Sequence, residues 1–386
     1  MRHRAGQKGA AARQKPSGIR EIAESLGVSI GTVDRALHNR PGINQKTRTR
    51  ILDQAKAMGY RPNLAARFLS SRKQLKVGVN LPAEIASFFD LVRDGVLEAV
   101  GGVETSDVKL VHRSYPGLGI GEKEALAEAL ESDLDGLIMV PGQPECLVPL
   151  LRKAAERRLP VVCVNTDAPQ VEHLATVCVD SLTTGALVGE LMGRFLAREG
   201  QVMVVTGQLS TIDHAQKVAG FRQALAEQWP QLRVATVVEA HDHEPEAYEK
   251  CRKLLASTTD IAGIYVTTAN SIPVMRAVEE AGLGGRLTVI TSDLFPALAK
   301  HIESGRVAAT LYQRPVMQGQ LAFRALYSYL VEGVQPSPVT RLAPHVVMKS
   351  NLKLFMDRLP RRGAEGARRR KLDEGDPMSG EDTVTA

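Results

Sequence analysis

From Lys76 to about residue 313 the chain alternates short, almost uninterrupted apolar runs with longer amphipathic stretches. The runs are KVGVNLP (76–82), VKLVHR (108–113), DGLIMV (135–140) and PVVCVN (160–165), then GQVMVVTG (200–207), VATVVEA (234–240), IAGIYVT (261–267), LTVITSD (287–293) and VAATLYQ (307–313). They are too short for helices and mostly lack polar alternation, so they read as strands buried on both faces. Between them, FFDLVRDGVLEAV, EKEALAEALESD and CLVPLLRKAAERR have helical periodicity. Buried strands separated by helices imply parallel sheets covered on both sides. The pattern runs through 76–180 and restarts after 200, which predicts two similar α/β lobes. Ligands of such folds collect at the carboxyl ends of strands, here facing an interlobe cleft.

Charge sets the first part of the chain apart. Residues 1–76 hold 17 Lys/Arg against 4 Asp/Glu, a charge of +13, while the remainder carries −7. A basic head on an acidic body meets a polyanion at one end only. At 386 residues and 44% hydrophobic content, there is material for two or three domains. Residues 1–17 form a basic arm poor in large apolar side chains and without a secretory h-region. The arm and the charge-balanced tail at 357–386 are both expected to be disordered. No apolar run approaches membrane-spanning length. Cys146, Cys163, Cys178 and Cys251 form no C-x-x-C pair, so reduced, interior thiols of a cytoplasmic protein are expected.

Within the basic region, IREIAESLG and SIGTVDRALHN read as two helices joined by a very short turn at Gly27. Ser29 is an N-cap candidate for the second, and Ile22, Val28 and Val33 are spaced to enclose a small core. Asn44 can cap a third helix, QKTRTRILDQAKAM, followed by Gly59-Tyr60-Arg61-Pro62-Asn63 and a short helix LAARFLS. Residues 18–69 resemble the helix-turn-helix domain and hinge of the LacI family: Gly27-Val28-Ser29, Thr32-Val33, Arg35, Gly59-Tyr60, Pro62-Asn63, Ala66 and Leu69 match its pattern. The resemblance implies domains at 18–58 (reader) and 59–75 (hinge helix and linker), with the second helix in the major groove. It puts Ile30, Gly31 and Arg35 at base-reading positions, Ser29, Thr32 and Asn39 at phosphate, and Tyr60, Asn63, Ala66 and Leu69 in the hinge. Arg35 can pair bidentately with guanine, and Leu69 can wedge into the minor groove or simply pack within the hinge. Asp34 replaces the family's usual Ser, a carboxylate where a hydroxyl could approach phosphate.

Residues 76–356 are similar to the two-lobed periplasmic-binding-protein body that this family carries, on its ribose-binding-like branch. The implied fold is an all-α helix-turn-helix head plus an α/β two-lobed body with parallel sheets. Phe88 and Phe89 stand where aromatic rings pack on a sugar face, although either could equally pack its own helix. Asn165 and Thr166 end the fourth run, Asp180 lies at the lobe crossover, and Lys217 replaces the Arg of R-x-x-G-F. Asn270, Asp293 and Gln313 complete the implied ligand set. Neutral amides, two carboxylates and one Lys suit a sugar or polyol better than a dianionic phosphate.

His241-Asp242-His243 reads as solvated surface, and His214 as helix surface, with a place lining the cleft near Lys217 as the alternative. Gly117, Gly119 and Gly121 lack the G-K-[ST] ending of a phosphate loop. No nucleophile triad, dinucleotide fingerprint or metal set emerges, so no cofactor and no enzyme activity is expected. The expectation is a homodimeric repressor, with a tetramer as the alternative, bound to a pseudo-palindromic operator and controlled by a small sugar-like effector. The competing readings are a solute-binding-type sensor for a non-sugar ligand and a metabolic α/β enzyme.

Overall fold

The computed structural model describes residues 19–37, 40–58, 74–103, 108–196, 198–258 and 260–359. The expected basic arm, the hinge at 59–73 and the tail from 360 lie outside the described residues. The chain divides into two compact units, Met1–Ser71 and Arg72–Ala386.

The first unit contains three helices, α1 (Ile19–Leu26), α2 (Ile30–Leu37) and α3 (Gln45–Ala57). Its core is small: Ile22 and Ala23 from α1, Val33 and Ala36 from α2, Ile51 and Ala55 from α3. The two alanines on α1 and α2 keep the helices close, and Gly27 turns between them at φ +64°. Helix α3 starts where Asn44 Oδ1 accepts from the Thr47 amide at 2.8 Å, satisfying one of the otherwise unpaired N–H groups of its first turn.

The second unit is a two-lobed body. The first lobe is built from β1 (Leu75–Pro82), α4 (Ala86–Gly101), β2 (Val108–Tyr115), α5 (Glu122–Glu131), β3 (Gly136–Met139), α6 (Pro144–Glu156), β4 (Val161–Val164) and β5 (Ala175–Val179). After Asp180 the chain crosses to the second lobe. That lobe comprises α7 (Ser181–Phe195), β6 (Gly200–Thr206), α8 (Ile212–Gln228), β7 (Leu232–Glu239), α9 (Glu244–Ser257), β8 (Ile261–Val266), α10 (Ser271–Glu280), β9 (Thr288–Ser292), α11 (Pro296–Glu303) and β10 (Ala309–Tyr312). It then returns: α12 (Pro315–Tyr327) and β11 (Val339–Leu342) join the first lobe, and β12 (His345–Val347) and α13 (Leu352–Met356) the second. The sheet orders are β11-β5-β4-β3-β1-β2 and β12-β10-β9-β8-β6-β7. Every pairing is parallel except β10 with β12. Central strands such as β3, β4 and β8 are buried throughout, whereas the edge strands β2 and β7 alternate toward solvent. That difference follows from how many neighbours cover each strand.

The late elements cross back between the lobes: α12 packs on α4 of the first. The contact is made by glycines. A Cβ on Gly95 would lie 2.0 Å from the Val316 carbonyl oxygen, and one on Gly319 would lie 2.1 Å from that of Val92. The second lobe repeats the device: Gly185 of α7 and Gly220 of α8 approach the Lys217 and Leu182 carbonyl oxygens at 1.9 and 2.0 Å by the same measure. Backbone contact at this range excludes any larger residue. It also holds the Lys217 backbone, one turn before Gly220, against α7.

Candidate functional sites: a helix surface and an interlobe cleft

In the head, Ser29 just before α2 and Ile30 and Gly31 in its first turn are exposed, as is Arg35 in its last turn, with Thr32 half-buried. Ile30 is 49% exposed, an unusual state for a large aliphatic residue in so small a unit. Gly31 and Arg35 are four apart and share one face. Ser29 caps the helix, its Oγ accepting from the Thr32 amide at 3.1 Å while lying 2.8 Å from Thr32 Oγ1. The Asp34 carboxylate accepts from Arg40 Nη1 at 3.1 Å, so its charge is met within the head. The acid at this position is thereby kept from standing as a bare negative charge beside a polyanion. Asn39, Tyr60, Asn63, Ala66 and Leu69 lie outside the described residues.

In the body, the parallel sheets bring strand ends to one edge of each lobe. Asn165 follows β4; Asp242, Asn270, Asp293 and Gln313 follow β7, β8, β9 and β10. All five are buried. Among the described residues, seven non-glycine positions have positive φ, and six of them sit at or just beyond these ends: Ile85, Asn165, His241, Asp242, Asp293 and Arg314. Left-handed backbone costs free energy, and it concentrates where a site's geometry over-determines the chain. Asn165 and Asp293 hold equivalent places in the two lobes, their amides donating to Val177 and Leu311 carbonyls at 2.9 Å each. The lobes touch directly across the cleft. Thr211 Oγ1 donates to the Gly142 carbonyl at 2.7 Å, Gln208 Nε2 to the Leu118 carbonyl at 3.2 Å, and the Asp213 amide reaches Thr166 Oγ1 at 3.4 Å.

A buried charge cluster lies in the second lobe. Lys217 Nζ donates to Asp213 Oδ2 at 2.8 Å and reaches the Thr267 carbonyl at 3.4 Å. Ser181 Oγ donates to the other Asp213 oxygen at 2.5 Å. His214 Nε2 stands 3.9 Å from both Asp213 Oδ2 and Asp242 Oδ2. Burial opposes ionisation of Asp213, but the Lys217 and His214 charges outweigh it and hold its carboxyl below the usual carboxylate range. Asp293 goes the other way. Burial pushes its carboxyl up to about 6, with the Asp213 and Asp242 charges adding to the effect against Lys217 and the Gln313 hydrogen bond. Gln313 Nε2 donates to Asp293 Oδ1 at 2.7 Å. Both Asp242 carboxylate oxygens, Asn165 Oδ1, Asn270 Nδ2 and Gln313 Oε1 are buried without a hydrogen-bond partner. Unpaired buried polar atoms are expensive, and five of them lie together in sequence register at these strand ends.

Two expectations need correction. Asp242 and His214 are buried parts of this cluster rather than solvated surface, because Gly207 lets both side chains close over the end of β6. Asp180, expected among the ligand residues, caps α7: its Oδ1 accepts from the Thr183 amide at 2.8 Å, and Arg341 Nε lies 3.8 Å from Oδ2. Cys146 is exposed rather than interior. Phe88 and Phe89 are both buried in the first turn of α4 as an edge-to-face pair with centroids 5.1 Å apart. Cys163, Asp167 and His173 offer ligand atoms within 4.8 Å of one another, the spacing of a metal site. Their hydrogen bonds already close on themselves, however. His173 Nδ1 pairs with the Val171 carbonyl, and Thr176 Oγ1 joins His173 Nε2 and Asp167 Oδ1 at 2.7 Å each. Burial disfavours the imidazolium, yet the Asp167 and Cys163 hydrogen bonds push His173 up to about 11. The group works as a clasp on the loop after Asn165 and Thr166.

Comparison with known proteins fits this geometry. The family described as "Periplasmic binding protein domain" matches residues 77–333, and "Bacterial regulatory proteins, lacI family" matches residues 18–63. The chain belongs to the LacI family of regulators. It is a DNA-binding transcriptional regulator with a periplasmic-binding-protein body. Catabolite control protein A of Priestia megaterium is 25% identical over 347 residues, covering 87% of this chain and 99% of its own. The HTH-type transcriptional regulator AglR of Rhizobium meliloti (strain 1021) is 24% identical, covering 83% and 90%. Among solved structures, the glucose-galactose binding protein GanP from Geobacillus stearothermophilus superposes with a TM-score of 0.67 at 25% identity, over 72% of this chain and 99% of that one. No helix among the described residues is long and apolar enough to cross a membrane.

For this LacI-family regulator, sequence reasoning reached the strand-end amides and Asp293 but missed Asp213 and Gln208. A local signal existed for Asp213: an acid four residues before Lys217 on a helix can pair with it.

Proposed function

We propose that the protein represses transcription as a cytoplasmic homodimer on a pseudo-palindromic operator, and that a small sugar or polyol in the interlobe cleft sets its operator affinity. In this reading Arg35 and Ile30 read bases, and Ser29 and Thr32 approach phosphate. The effector is held by Asn165, Thr166, Lys217, Asn270, Asp293 and Gln313, with Phe88 or Phe89 against a C–H face. The observation that carries the reading is the pair of sheet edges meeting through Thr211–Gly142 and Gln208–Leu118, with unsatisfied amides at their strand ends. An occupant that stabilises this closed arrangement shifts the population between open and closed lobes. A change of about 100-fold in operator affinity requires only about 2.7 kcal/mol of differential ligand binding. The relatives named above are transcriptional regulators, and the solved relative is named for binding glucose and galactose.

The test is fluorescence anisotropy on operator DNA, with and without members of a sugar and polyol panel. Arg35→Ala is expected to weaken specific binding by about 1–3 kcal/mol while leaving ligand-induced thermal stabilisation unchanged. Equal affinity for operator and scrambled DNA in the parent protein would refute the reading. So would tight binding to purines or amino acids alone.

A further inference from the structure

The charges in the cleft do not balance. Asp213, Asp242 and Asp293 are all buried in the second lobe, against Lys217 as the one fixed cation among them. Lys217 is committed to Asp213 at 2.8 Å. Asp242 makes no hydrogen bond through either oxygen, and its nearest cationic group is the His214 imidazole at 3.9 Å, shared with Asp213. Asp293 has one hydrogen bond, from the neutral Gln313 amide. Buried carboxylates persist only when a cation or several donors answer them. In the first lobe, buried Asp90 is already bridged by Arg93 at 2.6 Å, and Arg93 also donates to the Leu81 and Pro82 carbonyls.

The unpaired hydrogen-bonding atoms lean the same way. At the strand ends the orphan acceptors are both Asp242 oxygens, Asn165 Oδ1 and Gln313 Oε1, and the orphan amide donor is Asn270 Nδ2; the Ser271 and Ser292 hydroxyls, also unpaired, can donate or accept and carry no charge. A sugar hydroxyl brings one donor hydrogen and can also accept. An ammonium brings three donors, a positive charge and no acceptor. An acceptor-rich, anionic set therefore selects a donor-rich, cationic group. A bare divalent cation fits less well, because Ca²⁺ takes six to eight oxygens and this edge mixes in Lys217, His214 and amide nitrogens.

We infer that the effector is an aminated polyol, an amino sugar or amino polyol whose protonated amine docks at the Asp242 end of the cleft while its hydroxyls meet Asn165, Asn270, Asp293 and Gln313. The inference rests on the polyol reading above and narrows it. It gives His214 a role as well: held by Gln208, it spaces Asp213 from Asp242 so that the two acids act as separate acceptors.

The experiment uses the full chain at pH 7.5 in isothermal titration and thermal-shift measurements. The probes are D-glucosamine, D-galactosamine and D-mannosamine, each beside its N-acetyl derivative and its parent hexose. At least one amine is expected to bind tenfold or more tightly than both its neutral counterparts, and Asp242→Asn is expected to erase that preference. Should Asp242→Asn fail to give a cooperative melt, Asp293→Asn serves instead, with the amine's advantage expected to fall at least threefold. A parent hexose that binds as tightly as its amine overturns the inference and leaves the polyol reading standing. Absence of binding to all nine compounds overturns both.

Discussion

In the first lobe the buried acids are answered where they stand. Asp90 is bridged by Arg93, and Glu122 accepts from the Gly142 and Gln143 amides at 2.9 and 2.7 Å. In the second lobe the same sheet topology carries acids that are answered only in part. Asp213 has Lys217, Asp293 has a neutral amide, and Asp242 has no hydrogen bond. Both lobes also rest on a glycine-mediated helix crossing of nearly the same closeness. The scaffold is thus repeated and the electrostatics are not. A repeated fold can specialise one half for recognition by leaving its polar groups unpaired, while the other half serves as a satisfied wall.

The strongest way to break this comparison is to attack the shared scaffold. Gly185→Ala in the second lobe and Gly319→Ala in the first each push a methyl to about 2 Å from a backbone carbonyl oxygen. Both should exceed the roughly 1–3 kcal/mol of ordinary overpacking and abolish cooperative folding, read by urea unfolding. If one lobe tolerates its alanine, the two crossings are not equivalent supports. Next in size are the ion pairs. Lys217→Ala takes the buried cation from Asp213, and Arg93→Ala takes the bridge from Asp90; the first should cost about 3–5 kcal/mol by the same measurement, and the second less. Asp213→Asn combined with Lys217→Met should recover most of the loss, since removing both charges leaves neither stranded.

The smallest expected effect is in pH dependence, and it separates the lobe-2 acids from one another. Asp293 is raised in the folded state, so the folded chain binds more protons there than the unfolded chain. Its contribution is fully present below the ordinary value near 3.8 and is lost as pH rises through about 6. A shift of this size corresponds to about 3 kcal/mol across that window. Asp213 is lowered, so its contribution is present above the ordinary value and is lost as pH falls through its lower folded value. Glu122 is raised by burial and shares the direction of Asp293. Thermal melts of the parent protein between pH 4 and 7 should therefore decline, and Asp293→Asn should flatten most of that decline. An unchanged slope in Asp293→Asn would place the titration elsewhere.

Much of the architecture was legible because it is locally encoded. Helices α1 to α3 follow from caps and spacing: Asn44 at its N-cap and Gly27 at its turn sit where the sequence puts them. The strands from β1 to β10 that form apolar runs were readable because a strand covered on both faces must be apolar along its whole length. Phe88, Phe89, Asn165 and Asp293 were likewise visible as residues next to strand ends. Three things were hidden. The return of α12 and β11 to the first lobe depends on Gly95 and Gly319 meeting across more than two hundred residues, which no local pattern announces. Strands β11 and β12 are four and three residues long and mostly half-buried, so no continuous apolar run marks them. Asp242 in a polar loop and His214 on a helix looked solvated because polar side chains in such places normally are, and only their closure over Gly207 makes them interior.

The sequence by itself determined that this protein has a basic helical reader and a two-lobed α/β body, since caps, turn residues and strand-length apolar runs act over a few residues. Tertiary structure alone decided which acids end up buried and which of them find a partner. That is a matter of distance between residues far apart in the chain: 2.8 Å from Lys217 to Asp213, and 3.9 Å from His214 to Asp242. Charge pairing depends on those distances and on the exclusion of water around them, and neither quantity exists until the strands and helices have assembled.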